Sequence, residues 1–125
     1  MSVPTDLLYT NDHEWAKFNG DTVTIGITDF AQGELGDIIF IELPGIDSEV
    51  QKEDAFGTIE AVKTVTDLLS PVNGTVIEIN EELEDAPESV NEDPYEKGWF
   101  IKVKVNDAND KEGLLSADEY KSLID

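Results

Sequence analysis

The sequence lacks cysteine and arginine altogether, and its only histidine is His13. The missing cysteines exclude disulfide bonds, thiolate catalysis and cysteine-ligated metal sites. A Ser-His-Asp arrangement could form only around His13, and no second histidine follows Glu14 in the HExxH pattern of zinc proteases. We therefore interpret His13, which stands in the stretch DHEW, as structural, and we predict that the chain is not an enzyme.

Positive charge is scarce as well. Eight lysines face 29 acidic residues in 125, which gives a formal net charge of −21. Nucleic acids and anionic membranes demand a basic surface, so we predict neither as a partner. Proteins with basic docking faces are better candidates, because complementary charge speeds encounter.

Long apolar runs are also missing, since none approaches the roughly 20 residues of a membrane-spanning helix. The N-terminal stretch MSVPTDLLYTNDHEW has neither a secretory nor an Arg-rich transit pattern. We expect a cytoplasmic bacterial protein, and the mature form of a mitochondrial matrix protein would also fit.

Metal-binding patterns are incomplete. Asp107-x-Asn109 begins like a calcium loop, but Glu112 stands where the sharp turn of that loop requires glycine. The acidic cluster Glu81–Asp85 has no spacing that defines a site. We predict no metal site.

Short segments of alternating hydrophobicity dominate the chain and are typical of strands. The predicted strands are Asp21–Thr28, Asp37–Leu43, Ala55–Ala61, Thr64–Leu69, Thr75–Asn80 and Trp99–Val105. NGDTVTIGI and NGTVIEIN resemble one another, which favours two related halves folded together. We predict one all-β domain over residues 1–125, in which residues 81–97 form a long polar surface segment.

Helical signals occur in two places. Thr28 and Asp29 can cap a short helix that stops near Gly36. Near the C-terminus, Ser116 and Glu119 have the spacing of a capping box. The second helix would bury an apolar stripe formed by Leu115, Tyr120, Leu123 and Ile124.

Lys63 stands alone at the predicted turn between two strands. A catalytic lysine normally lies in a desolvated pocket, and a hairpin tip offers no such burial. Presentation to a modifying enzyme suits this placement better. The order and spacing of the lipoyl and biotinyl attachment motif are met by Gly45, Val50, Asp54, Glu60 and Lys63. Glu53 departs from that motif, because glycine is usual before Asp54, and its turn is expected to be less tight.

Five segments then match one family in order along nearly the whole chain. They are HEW at 13–15, GITDFAQ at 26–32, LGDIIFIELP at 35–44, FGTIEAVKTVTDLLSPVNG at 56–74 and LEDAPESVNEDPYEKGWFIK at 83–102. On these segments the sequence resembles the H proteins of the glycine cleavage system. The resemblance implies a barrel-sandwich hybrid fold, the β-sandwich of lipoyl and biotinyl domains, with short peripheral helices and a C-terminal helix.

The resemblance also implies a function. Lipoate would be joined through an amide to Lys63, and the chain would be a shuttle without enzymatic activity. A PLP-dependent glycine decarboxylase would load an aminomethyl group, an aminomethyltransferase would pass the carbon to tetrahydrofolate, and dihydrolipoyl dehydrogenase would reoxidise the dithiol. A lipoate ligase or a lipoyl/octanoyl transferase would attach the lipoate.

Four further residues are implied by position. Glu14 and Asp67 match the carboxylates that hold the amine of the loaded arm in a cleft, and such a pairing is charge-assisted. Asp12 stands where some relatives have a small hydroxyl side chain, and it would either add charge to that cleft or leave it unaffected. Glu60 would assist recognition by the lipoylating enzyme.

Three other classes of carrier protein also have an attachment lysine. Lipoyl domains of 2-oxo acid dehydrogenases usually have Asp before the lysine and Ala after it, where this chain has Val62 and Thr64. Biotin carriers commonly flank the lysine with methionine, and the only methionine here is Met1. An H-like protein that serves as a lipoate reservoir, relay or regulatory carrier would need the same lysine, so the sequence leaves that alternative open.

Overall fold

A computed structural model describes residues 3–106, 111 and 113–124 of the chain. In this part of the chain the strands are β1 (Leu8–Tyr9), β2 (Glu14–Asn19), β3 (Thr22–Ile27), β4 (Ile38–Glu42), β5 (Glu49–Val50), β6 (Ala55–Ala61), β7 (Val65–Leu69), β8 (Gly74–Ile79) and β9 (Ile101–Val105). The helices are α1 (Asp29–Leu35), α2 (Glu82–Asp85), α3 (Ser89–Glu92) and α4 (Ala117–Ile124). The predicted all-β class with short helices and a C-terminal helix is confirmed.

The strands form two antiparallel sheets. One has six strands in the order β1-β2-β3-β9-β8-β5, and the other has three in the order β4-β6-β7. The two similar segments NGDTVTIGI and NGTVIEIN contribute β3 and β8, which lie on either side of β9 in the same sheet. The interpretation as two halves folded together is therefore wrong, because both segments belong to one layer.

The main core consists of buried apolar residues from both sheets. In β9, Ile101, Val103 and Val105 are buried while Lys102 and Lys104 point the other way, as the two-residue period of a strand requires. Burying an aliphatic side chain of this size contributes about 1.5–3 kcal/mol. Other members of the core are Ile25, Ile41, Phe56, Ile59, Leu68 and Val76.

The first helix begins and ends where the sequence predicts. The Thr28 hydroxyl accepts a hydrogen bond from Ala31 N at 3.2 Å, which satisfies one of the free backbone donors of the first turn. Gly36 ends α1 with φ of 79°, a left-handed conformation that favours glycine.

The C-terminal helix has its predicted capping box. Ser116 N donates to Glu119 Oε1 at 2.9 Å, and Glu119 N donates to Ser116 Oγ at 3.2 Å. Tyr120 is fully buried and stacks on Tyr9 with ring centroids 4.7 Å apart. Leu123 is exposed, so the predicted apolar stripe is wrong at that position.

The segment at residues 81–97 is not a purely polar surface segment as predicted. It contains α2 and α3, whose Leu83 and Val90 insert into the core. Most of its acidic residues are exposed, and among them the sequence does not distinguish the two isolated apolar residues that are buried.

The calcium-like positions 107, 109 and 112 lie outside the described residues. Within residues 3–106, 111 and 113–124, no three acidic or histidine side chains come together in a way that could hold a metal ion. In the same part of the chain, no helix combines the length and the apolar character needed to cross a membrane.

Candidate functional site

Lys63 lies at the tip of the β6–β7 hairpin, as predicted. Ala61 N donates to Thr64 O at 2.8 Å, which closes the turn, and Val62 N donates to Asp37 O at 3.0 Å, which ties the turn to the entry of β4. The Lys63 side chain is exposed. The backbone of the tip is thus fixed while the amine stays accessible.

The Lys63 side chain extends over the end of α1. A Cβ atom placed on Gly36 would lie 3.4 Å from Lys63 Cε and 3.8 Å from Lys63 Nζ. The lysine side chain thus lies within van der Waals distance of the end of the helix, and glycine is favoured here by the left-handed conformation that ends α1.

Asn91 joins the elements beneath the lysine. Its Oδ1 accepts from Ile38 N at 3.0 Å, and its Nδ2 donates to Gly36 O at 2.8 Å and to Gln32 Oε1 at 3.0 Å. One amide thus connects α3 to α1 and β4. Sequence reasoning missed this residue, because an asparagine within a polar segment has no pattern that marks such a bridge.

A cleft of about 160 Å³ opens beside α1. It is lined by Asp12, His13, Glu14, Ile27, Ala31, Glu34, Leu35, Ile59, Thr66, Asp67 and Leu68. The predicted residues Glu14, Asp67 and Asp12 all line this one cleft, from separate parts of the chain. Glu34 on α1 adds a fourth carboxylate that the sequence did not single out, and no lysine is among these lining residues.

Glu14 is the one buried carboxylate of the cleft, with 4% of its surface exposed. Burial raises its pKa to about 8, and it does so against the opposing effect of a hydrogen bond from the Thr10 hydroxyl at 2.7 Å. Asp67 and Asp12 are exposed by comparison. In the absence of a cation, the Glu14 side chain therefore holds its proton near neutral pH.

His13 has the contacts of a structural residue. Its Nδ1 lies 2.8 Å from the Tyr120 hydroxyl, and its ring is 4.8 Å from that of Phe30. The Tyr120 hydroxyl is also 2.7 Å from Thr28 Oγ1. Burial lowers the pKa of His13, although Asp12 opposes the shift. The ring connects α4 to the start of α1 and also forms part of the cleft wall.

The structure places Glu60 apart from the cleft. It lies on β6, in register with Phe40 on one side and Val65 on the other. It is half-buried and shares its strand with the base of the lysine hairpin.

Glu53 adopts φ of 74°, the left-handed conformation for which the attachment motif usually has glycine. Its backbone N donates to Ser70 O at 2.7 Å. The turn therefore keeps the glycine-like conformation despite the side chain, in contrast to the less tight turn expected from the sequence.

Comparisons with known proteins identify the family of the chain. The family described as "Glycine cleavage H-protein" matches residues 7–125. The glycine cleavage system H protein of Staphylococcus carnosus is 59% identical over 124 residues, covering 99% of this chain and 98% of the relative. That of Halalkalibacterium halodurans is 57% identical over 123 residues, covering 98% and 96%.

A solved structure extends the likeness to three dimensions. The crystal structure of a glycine cleavage system H protein from Mycobacterium marinum superposes with a TM-score of 0.88 at 36% identity, covering 96% of this chain and 97% of that one. Sequence and backbone thus agree over nearly the full length. The chain belongs to the glycine cleavage H-protein family.

Proposed function

We propose that this chain is the lipoyl-carrying shuttle of a glycine cleavage system, with lipoate attached to Lys63. In this role it accepts an aminomethyl group at the PLP-dependent glycine decarboxylase and presents it to the tetrahydrofolate-dependent aminomethyltransferase. It is then reoxidised by dihydrolipoyl dehydrogenase. The observation that carries the proposal is that one helix, α1, connects the exposed Lys63 to a cleft that ends at a buried carboxyl group.

The residues around α1 fit a lipoyl group. Lipoate supplies a disulfide that is reduced when the cargo is taken up. The cleft presents apolar side chains to a hydrocarbon arm, contributed by Ile27, Ala31, Leu35, Ile59 and Leu68. Leu35 directly precedes Gly36, over which the Lys63 side chain already lies, so an arm on Lys63 can follow α1 into the cleft.

Glu14 is suited to receive the cationic end of the cargo. A buried carboxylate without a countercharge is unfavourable, and the raised pKa of about 8 means that Glu14 is uncharged near neutral pH when no cation is close to it. A nearby ammonium group favours the ionised form and lowers the pKa. Glu14 thereby releases its proton to solvent when the cation arrives, and the resulting carboxylate accepts a charge-assisted hydrogen bond from the ammonium group in a site with little water.

Asp67 and Asp12 act differently from Glu14 in this proposal. Both are exposed and line the same cleft, so their interaction with a cation is screened by solvent. They attract and retain the amine, whereas Glu14 shields it from water. The chemistry at the substrate is performed by the partner enzymes, and the side chains of this chain bind, orient and protect the cargo.

The first experiment is intact-mass measurement with peptide mapping after incubation with a lipoate ligase, ATP and lipoate. The Lys63 amine attacks the acyl carbon of lipoyl adenylate, the bond from that carbon to AMP breaks, and the amine loses a proton. We expect one lipoyl increment on the peptide that contains Lys63. Lys63→Ala should remain unmodified, and Lys104→Ala, which removes an exposed lysine on β9, should be modified like the wild type.

Glycine–bicarbonate exchange with the decarboxylase is the second readout. The lipoylated wild type should support exchange, and Lys63→Ala should not. A wild type without modification, or with modification elsewhere, would refute the proposal. Normal exchange by Lys63→Ala would refute it equally. A lipoylated wild type that gives no exchange would favour a reservoir or relay over the glycine cleavage shuttle.

A further inference from the structure

The loop between β1 and β2 is organised around the Thr10 side chain. The Thr10 hydroxyl oxygen accepts hydrogen bonds from Asp12 N and from Glu14 N, each at 3.2 Å, and it lies 2.7 Å from Glu14 Oε1. In the backbone, Thr10 N donates to Glu14 O at 3.0 Å, and His13 N donates to Thr10 O at 3.2 Å. These hydrogen bonds tie Thr10 to residues 12–14, which lead into β2.

The hydrogen bond between Thr10 and Glu14 has a fixed direction. A hydroxyl group has one hydrogen to donate and two lone pairs that accept. Both acceptor positions of Thr10 Oγ1 are taken by backbone N–H groups, so its hydrogen is directed at the remaining neighbour, Glu14 Oε1. Glu14 Oε1 is therefore an acceptor whether the carboxyl group is protonated or ionised, and the neutral form carries its proton on Oε2.

The backbone of the loop needs these contacts. His13 has φ of 71°, a left-handed conformation that is uncommon for a residue other than glycine. Such conformations persist only where the surrounding structure holds them. The Thr10 hydroxyl binds the N–H groups of Asp12 and Glu14, one on each side of His13, and thereby sets the direction in which Glu14 leaves the loop.

Thr10 reaches Glu14 from outside the cleft. It is not among the residues that line the cleft, and it lines a second cavity of about 80 Å³ together with Leu69 and Ser70. Asp12 and Glu14 are the residues that the two cavities share. Thr10 can therefore hold the Glu14 carboxyl group without touching what occupies the cleft.

We propose that Thr10 is the positioning residue for Glu14, because its hydroxyl fixes the carboxyl group in the orientation that receives the ammonium group of the cargo. This inference rests on the proposed function, since the cargo amine is what Glu14 receives. A hydrogen bond donated to a carboxylate is charge-assisted and stronger than one donated to the neutral acid. The Thr10 hydroxyl thus favours the ionised state of Glu14, which is the state that holds a cation.

Burial and Thr10 act on Glu14 in opposite directions. Burial raises the pKa of Glu14, whereas the hydrogen bond from the Thr10 hydroxyl lowers it. A substitution at Thr10 leaves the other ionisable groups around Glu14 in place, so the pKa of Glu14 reports on the hydroxyl. These groups are Asp12 and His13 beside it in the sequence, Glu34 on α1, Asp67 on β7, and Lys52 and Glu53 at the second cavity.

The test is an NMR titration of the Glu14 carboxyl carbon in the unmodified protein. Thr10→Val keeps the shape of the side chain and removes the hydroxyl, so the pKa of Glu14 should rise by roughly one pH unit. Thr10→Ala should have the same effect and replaces Thr10→Val if that variant does not fold. Thr10→Ser keeps the hydroxyl and should titrate like the wild type. The matched control is Thr24→Val on β3, a half-buried threonine that lines neither cavity, and it should leave the pKa of Glu14 unchanged.

A merely structural role of Thr10 predicts the opposite sign. If Thr10 only held the loop together, its removal would admit water to Glu14, and the pKa would fall toward the ordinary value of 4.5. A fall, an unchanged pKa, or a Thr10→Ser variant that titrates like Thr10→Val would each overturn the proposal.

The second readout is the release of ammonia from the loaded arm. Each lipoylated variant is loaded with glycine and the decarboxylase, separated from the enzyme and followed over time. We expect Thr10→Val to release ammonia about tenfold faster than the wild type, which is the effect of losing one hydrogen bond to a charged group. Thr10→Ser and Thr24→Val should match the wild type.

Two further results separate this inference from the proposed function. Equal release by Thr10→Val and the wild type would overturn the role of Thr10 toward the cargo although the carrier function stands. A wild type that cannot be lipoylated would remove the proposed function itself, whereas the NMR titration of the unmodified protein would still decide whether Thr10 positions Glu14.

Discussion

The two ends of the candidate site differ in almost every physical respect. Lys63 lies in solvent at the tip of a two-stranded protrusion, and its side chain contacts little besides the region of Gly36. Glu14 has only 4% of its surface exposed, and burial raises its pKa to about 8. At the tip, the backbone is held by hydrogen bonds and the Lys63 side chain is exposed. In the cleft, the Glu14 side chain is held as well, by burial and by its hydrogen bond from Thr10.

Under the proposed function, this difference reflects two separate requirements. An attachment point must fit into the active site of another protein, so burial at the tip would work against its role. A binding point for a cation gains from burial, because charge interactions are stronger where water is excluded. The same domain meets both requirements by placing the lysine on a thin hairpin and the carboxyl group against the body of the six-stranded sheet.

The largest expected effect on stability concerns Glu14. Glu14 has a pKa of about 8 in the folded protein and an ordinary value of 4.5 in the unfolded chain. Between these two values, the folded protein keeps a proton on Glu14 that the unfolded chain has already lost. The free energy of unfolding therefore falls as pH rises through this window, by on the order of a few kcal/mol. Glu14→Gln has no such proton, so its stability should decrease less over the same window.

Urea denaturation at several pH values from 4 to 9, for wild type and Glu14→Gln, measures this difference. Because the other carboxylates are common to both proteins, the difference isolates Glu14. A matched comparison is Asp67→Asn, an exposed carboxylate of the same cleft, which should follow the wild type. If the free energy of unfolding depends on pH in the same way for wild type and Glu14→Gln, then burial does not raise the pKa of Glu14. The two ends of the site would then differ less.

A smaller effect is expected for Asn91, which links the base of the lysine hairpin to α1. Asn91→Ala removes three hydrogen bonds and leaves the Ile38 N–H without its partner, which should cost about 1–3 kcal/mol. Denaturant unfolding measures the loss. Asn73→Ala is a useful comparison, since its Oδ1 accepts from Lys52 N at an exposed position far from the hairpin base.

Hydrogen exchange sharpens the Asn91 prediction. The Ile38 amide should exchange faster in Asn91→Ala, whereas amides in the centre of β9 should change only with global stability. Unchanged protection at Ile38 would mean that the backbone finds another acceptor and that the amide bridge does not position β4.

The smallest expected effect belongs to Lys63. Lys63→Ala should change the free energy of unfolding by no more than about 0.5 kcal/mol, because an exposed side chain at a turn buries little surface. The midpoint of thermal unfolding should therefore be nearly unchanged. Differential scanning calorimetry on the two unmodified proteins measures it. A substantial loss of stability would show that the contact of Lys63 with the end of α1 stabilises the fold. The hairpin tip would then resemble the Glu14 cleft in having a structural side chain.

Local signals predicted the elements that position the site. Strand β6 has the predicted bounds, and β7 begins one residue later than expected, so the Lys63 turn could be located from alternation alone. The helix cap at Thr28 and the stop at Gly36 follow from local chemistry. The family resemblance located Glu14, Asp67 and Asp12, which the structure brings together in one cleft.

Long-range contacts could not be predicted from the sequence. The contact between Asn91 and Gly36 joins residues 55 positions apart, and His13 meets Tyr120 across 107 positions. Short strands such as β5 contain too few residues to show alternation. Leu83 and Val90 were missed because each is a single apolar residue among polar and acidic neighbours, and only the packed structure reveals that both point inward.

The Tyr120 hydroxyl has a practical consequence for anyone handling this protein. Because this hydroxyl contacts both His13 and Thr28, α4 stabilises the position of His13 in the wall of the cleft. A fusion partner or affinity tag that frays α4 would disturb the cleft although Lys63 remained accessible. If the proposed function holds, such a protein would be lipoylated normally on Lys63 and would nevertheless protect its cargo less well.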